Sequence, residues 1–103
     1  ESVATRHFDS TLLAIHALRA EGVKVYCLET TDHAVSYTDQ EFAPEGVALV
    51  LGNEEIGVDV EVMEAADGVI EIPCFGQKNS LNVASAASIV VFEALRQWGK
   101  LGR

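Results

Sequence analysis

The stretch "GVALVLGNEEIGVD", residues 46–59, decides the fold class. Val47 to Leu51 are all apolar, and the run stops at Gly52 and spills into Glu54, Glu55 and Asp59. An unbroken aliphatic strand is the kind buried on both faces of a parallel sheet, whereas a strand with one solvated face alternates. The flanks support that reading. Upstream, Asp9-Ser10-Thr11 offers an N-cap for "LLAIHALRAEG", so a helix is expected from about 10 to 21. It places Leu12, Leu13, Ile15, Ala17 and Leu18 mainly on one side, and Gly22 ends it. "VKVYCLET" (23–30) is a second strand. Thr30 to Pro44 is polar and turn-like, with one helical turn expected in "YTDQEF" (37–42). Downstream, Asp59 can cap a short helix, "VEVMEAAD" (60–67); "GVIEIP" (68–73) is the next strand, and a long helix runs from Ser80 to about Trp98. This alternation predicts an α/β layered domain with a mostly parallel sheet and flanking helices.

The chain has 103 residues, 49% of them apolar and two of them proline. That length and composition suit one folded domain spanning 1–103. No apolar run approaches the roughly 20 residues of a membrane span, and no signal-peptide pattern opens the chain. The expectation is a soluble intracellular protein without a membrane partner, cytoplasmic or in an organelle. Cys27 and Cys74 stand apart from each other, which favours buried reduced thiols over a disulfide or metal site. His7, His16 and His33 are scattered, so no metal is expected.

The net charge of −9 restricts the partners. A free-standing nucleic-acid binder normally carries a basic surface, because neutralising phosphates supplies much of its affinity. Between Gly46 and Gln77 there is no Lys or Arg at all. Either the partner is not a polyanion, or the basic part of the protein lies outside this chain.

The last helix is unusual. From Leu81 to Phe92 it carries no charge, and its polar members are Asn82, Ser85 and Ser88, with Ser80 just before. A helix apolar nearly all round must be covered nearly all round. One sheet covers one side; a second chain covers the rest, or an alanine face is left partly exposed.

In open α/β sheets ligands gather beyond the carboxyl ends of the strands. Here those ends are Leu28, Gly52 and Ile72-Pro73, the last leading through "CFGQKN" to Ser80. A phosphate cradle is a poor match. Gly52 and Gly57 have part of a P-loop spacing, but Val58-Asp59 follow where Lys-Ser/Thr is required, and GxGxxG is absent. With Glu54, Glu55 and Asp59 nearby, a neutral or cationic ligand fits better than a bare anion. Glu54 and Glu55 can equally be solvated loop acids. Ser80 is a natural N-cap, whereas Asn82, a poor helix former without a capping role, suits a hydrogen-bonding task at the crevice. No Ser-His-Asp or Cys-His arrangement is evident.

Three stretches together, "ALVLGNEEIGV", "VIEIPCFGQKNSLNVASAASIVVFEALRQW" and, less distinctively, "TLLAIHALRAEGVKVYCLETT", resemble the SpoU (TrmH-like) branch of the SPOUT RNA methyltransferases. The resemblance covers almost the whole chain. It implies transfer of a methyl group from S-adenosyl-L-methionine to a ribose 2′-hydroxyl of RNA, with the tRNA guanosine enzymes matched best through "FEALRQW". An rRNA enzyme, or a catalytically inactive RNA-binding paralogue, is the alternative. A binding module unrelated to methyl transfer is a further one.

By the same resemblance, Leu28, Gly52, Ile72 and Leu81 hold the cofactor mainly through backbone groups, and Glu54, Ser80 and Asn82 are the catalytic residues. The resemblance also implies a trefoil knot, in which the C-terminal segment threads a loop, and a homodimer through the C-terminal helix. Members carry an N-terminal strand and loop bearing an asparagine and an arginine that works on the ribose hydroxyl. "SVATRHF" resembles the segment after that part, and Arg6 and Arg19 lie in a different context. The expectation is therefore a fragment, the C-terminal part of the catalytic domain with its N-terminal strand missing, inactive alone.

Overall fold

The computed structural model describes residues 10–31, 33–52, 57–73 and 83–100. Its elements run α1 (Thr11–Ala20), β1 (Lys24–Leu28), β2 (Val35–Ser36), β3 (Val47–Leu51), α2 (Val60–Ala65), β4 (Gly68–Glu71) and α3 (Val83–Gln97). The four strands form one sheet in the order β2-β4-β1-β3, and every pairing in it is parallel. The expected α/β architecture is therefore present.

Alternation along the strands divides the core into two layers. Tyr26, Leu28, Val47, Leu49 and Ile70 pack on the face covered by Val90 and Ala94 of α3. Val25, Cys27, Ala48, Val50 and Val69 pack on the other, with Ile15 of α1 and Val62 of α2. Successive strand residues point to opposite faces, so one apolar strand serves both layers. The central strand β1 accordingly has Val25 and Cys27 at 0% exposure. β1 and β4 pair residues 42 apart in the chain, Tyr26 with Gly68, and α2 lies between β3 and β4 as a crossover between parallel strands that packs on the sheet's face.

Local chemistry explains the helix limits. Ser10 Oγ accepts the Leu13 N–H at 3.1 Å, the cap expected at the start of α1. At its end Val23 N donates to Leu18 O at 3.0 Å while Gly22 adopts φ 88°, a closure that favours glycine. Cys27 is a free, buried thiol whose pKa burial pushes up to about 11, with the Glu29 charge adding to the rise.

Several expectations need correction. Leu13 is 59% exposed, because at 100° per residue it lies some 200° from buried Ile15 rather than beside it. The "YTDQEF" segment is a hydrogen-bonded turn, with Asp39 N donating to Ser36 O at 2.9 Å, and it follows the short strand β2, which its polar composition concealed. Asp59 stands at the N-cap position of α2, but its side chain makes no capping hydrogen bond. β3 is covered on both faces yet only half-buried, because within the described residues it is an edge of the sheet. Of the C-terminal segment expected to thread a loop, residues 74–82 lie outside the described residues.

Candidate functional site

Parallel strands bring their carboxyl ends to one edge of the sheet, and the register shows which residues meet there. Leu28 pairs with Leu51 on one side and Ile70 on the other. Gly52 therefore follows immediately beyond Leu28's neighbour, and Ile72 lies two residues beyond its other neighbour. With strands about 4.8 Å apart, β4, β1 and β3 span roughly 10 Å at this edge. Leu28, Gly52 and Ile72 are all half-buried. The three strand-end positions chosen from sequence thus lie side by side.

Gly52 is constrained by the backbone of Gly57 and Val58. A Cβ there would collide with the Gly57 carbonyl carbon and sit 2.7 Å from both Gly57 O and Val58 N. Gly52 thus lies directly against the Gly57–Val58 backbone, so the need for glycine at 52 arises before any ligand is considered. Gly57 has φ 84°, and a Cβ on it would run into Glu29 Oε2.

Glu29 was not singled out from sequence, yet it organises this edge. Its backbone N–H donates to Ile70 O at 3.0 Å, tying the end of β1 to β4. Its Oε2 accepts the Val58 N–H at 3.0 Å and its Oε1 accepts the Thr30 N–H at 3.3 Å. A half-buried carboxylate is thereby placed at the crevice, where it favours a neutral or positive ligand over an anion. The available signal was its position, the first polar residue after an apolar strand.

The opposite end of the sheet holds a structural ion pair. Asp67 Oδ2 accepts the Val25 N–H at 2.7 Å, and Asp67 Oδ1 lies 3.2 Å from Arg19 Nη2. Arg19 Nη1 also donates to Ala65 O at 2.8 Å. These contacts occur at the amino ends of β1 and β4, so Arg19 does not face the crevice. The C-terminal turn of α3 holds another network. Glu93, 8% exposed, accepts from Arg96 Nε at 2.9 Å and Arg96 Nη2 at 2.7 Å, and from Gln97 Nε2 at 2.9 Å. The Arg96 hydrogen bonds, followed by that from Gln97, pull the Glu93 carboxyl down to about 2. A polar groove of about 620 Å³ lies beside this network, between Thr38–Phe42 and Arg96–Trp98, and none of Leu28, Gly52 or Ile72 lines it.

Of the other residues selected from sequence, Glu54, Ser80, Leu81 and Asn82 lie outside the described residues. α3 turns Val90, Glu93 and Ala94 inward and leaves Phe92 59% and Val91 38% exposed. Its uncovered side is therefore more than a face of alanines.

Comparison with known proteins gives a consistent result. The model of the SpoU rRNA Methylase family matches residues 1–92. The tRNA (guanosine(18)-2'-O)-methyltransferase of Thermus thermophilus is 36% identical over 89 residues, which are 86% of this chain and 45% of that protein. Among solved structures, the A. aeolicus TrmH/SpoU tRNA modifying enzyme superimposes with a TM-score of 0.78 at 31% identity, over 90% of this chain and 47% of that one. The AdoMet-bound rRNA methyltransferase of Sinorhizobium meliloti gives a TM-score of 0.71 at 36% identity, over 80% of this chain and 31% of that one. This chain spans less than half the length of each.

Proposed function

We propose, because this chain belongs to the SpoU rRNA Methylase family, that it supplies the cofactor-binding part of an enzyme that methylates a ribose 2′-hydroxyl of RNA. The observation that carries the reading is the convergence of Leu28, Gly52 and Ile72 at one sheet edge beside the Glu29 carboxylate. Main-chain groups at strand ends suit the polar edges of an adenine and an amino-acid moiety, and the acidic crevice suits a sulfonium. S-adenosyl-L-methionine, when bound, supplies an activated methyl group. The sequence and structural likeness to a T. thermophilus tRNA methyltransferase and an A. aeolicus tRNA modifying enzyme makes tRNA the preferred substrate class.

This chain's residues then divide the work. Leu28, Gly52, Ile72 and Leu81 hold the cofactor, while Glu54, Ser80 and Asn82 order the pocket and place the ribose oxygen in line with the methyl group. The hydroxyl is a weak acid, so its proton must be drawn off as the bond forms. Among the described arginines, Arg19 is held by Asp67 and Arg96 by Glu93, away from the crevice. The arginine that the family resemblance implies for this step is therefore neither of these two. The exposed Phe92 and Val91 support a homodimer packed through α3. The knotted C-terminal segment, a single domain over 1–103 and a cytoplasmic location complete the reading; no helix among the described residues is long and apolar enough to cross a membrane.

Titration calorimetry with S-adenosyl-L-methionine tests the pocket. Gly52→Trp or Leu81→Asp is expected to abolish binding, and unchanged affinity would contradict the assignment. The rRNA reading is favoured by the likeness to the S. meliloti enzyme. Methylation of separated tRNA and rRNA pools by the full-length protein distinguishes the two.

A further inference from the structure

We propose that Glu29 is a positioning residue for this site, a latch that ties the end of β1 to the Gly57–Val58 backbone beside Gly52 and so fixes the spacing of the β1 and β3 ends of the crevice. The proposal rests on the methyl-transfer reading above. Three observations on described residues meet at one point. Gly52 and Gly57-Val58 touch through their backbones. The Glu29 carboxylate accepts the Val58 N–H at 3.0 Å and packs against Gly57 where a side chain would otherwise stand. Glu29's own N–H is held by Ile70 O at 3.0 Å, so the latch is anchored to the centre of the sheet rather than to a loop.

The chemistry of the bond suits this task. A carboxylate accepting a backbone N–H makes a charge-assisted hydrogen bond, stronger than one between neutral groups. Glu29 is the residue that leaves β1, and the Val58 backbone lies against Gly52, the residue that leaves β3. One side chain therefore joins two of the three strand ends that define the crevice. Such support matters because a displacement of about 1 Å in a reacting group can cost on the order of a hundredfold in rate. Glu29 acts through the Gly57–Val58 backbone and needs no contact with the reacting atoms.

The test uses Glu29→Ala, Glu29→Asp and Glu29→Gln in the full-length protein, with circular dichroism confirming that each is folded at the temperature used. Two readouts are taken: hydrogen exchange at the Val58 amide, and affinity for S-adenosyl-L-methionine. Glu29→Ala is expected to accelerate exchange at Val58 and weaken cofactor binding roughly tenfold, the scale of one lost hydrogen bond. Glu29→Asp, one methylene too short to reach, should behave alike, and it carries the test if Glu29→Ala fails to fold. Glu29→Gln keeps a carbonyl acceptor at the same reach and should recover most of the affinity. Unchanged Val58 exchange in both shortened variants overturns the latch. Accelerated exchange with unchanged affinity overturns its role in positioning the site, leaving a local structural bond. A wild-type protein that binds no cofactor overturns the methyl-transfer reading and the positioning role together, while Val58 exchange still reports the latch separately.

Discussion

Gln97 Oε1 accepts the Phe42 N–H at 2.8 Å, joining residues 55 apart in the chain. The same amide donates to Gln40 O at 2.8 Å and to Glu93 Oε2 at 2.9 Å. Trp98 Nε1 adds a bond to Phe42 O at 2.9 Å. The end of α3 thus grips the segment that leads into β3. Gln97→Ala is expected to destabilise the fold by about 1–3 kcal/mol, because it leaves the Phe42 N–H without its partner. Urea unfolding measures the loss as a lower midpoint.

Asp67 and Arg19 should contribute unequally. Asp67 satisfies the Val25 N–H as well as pairing with Arg19, and its side chain is 14% exposed against 46% for Arg19. Asp67→Ala is expected to cost about 1–3 kcal/mol, and Arg19→Ala under about 1 kcal/mol, as for a half-exposed ion pair. Equal losses in thermal or denaturant unfolding would contradict this division.

Glu93 predicts a specific acid sensitivity. Its folded pKa is drawn down to about 2 from the ordinary 4.5, so the folded state binds the proton less readily than the unfolded one. Its stabilising contribution is complete above the unfolded value and is lost as pH falls through the window from about 4.5 to 2. Unfolding curves measured across that window should show a shallower pH slope for Glu93→Gln than for the wild type. Indistinguishable slopes would remove Glu93 from the acid response.

Gly52→Ala tests the contact of Gly52 with the Gly57–Val58 backbone by the smallest possible addition. Its Cβ would meet the Gly57 backbone, which cannot swing away as a side chain tip can. The expected cost is roughly 1–3 kcal/mol in stability, as for overpacking elsewhere, together with a clear loss of cofactor affinity. Wild-type values in both calorimetry and thermal unfolding would contradict the close approach of Gly52 to Gly57.

Phe92 reports on the uncovered side of α3. Phe92→Ser should leave monomer stability within about 0.5 kcal/mol, since the ring is 59% exposed. If α3 forms the dimer, the same change should raise the dimer dissociation constant tenfold or more. Sedimentation velocity distinguishes the outcomes, and an unaltered association state would rule out Phe92 as an interface anchor.

Much of the fold was legible because it depends on local regularities. The unbroken run Val47–Leu51 announced a parallel sheet, and Ser10 announced the start of α1 through a cap that needs only neighbouring atoms. β2 was not legible: two residues, Val35 and Ser36, become a strand only because β4 is there to pair with them. Asp59 takes the expected N-cap position of α2 without a side-chain capping hydrogen bond, while Asp67 looked like the tail of a helix and proved to be the acceptor for Val25. The Asp67 contact depends on a backbone group 42 residues away coming within reach.

The crevice divides in the same way. The sequence alone determined that Leu28, Gly52 and Ile72 end apolar strands, because hydrophobic periodicity and glycine are written locally. Only the tertiary structure decided that those ends adjoin in the order β4-β1-β3, and that Glu29 reaches across to Val58. Strand order is set by which faces helices can cover and which edges can pair across the whole chain, and a hydrogen bond between residues 29 positions apart has no local signature.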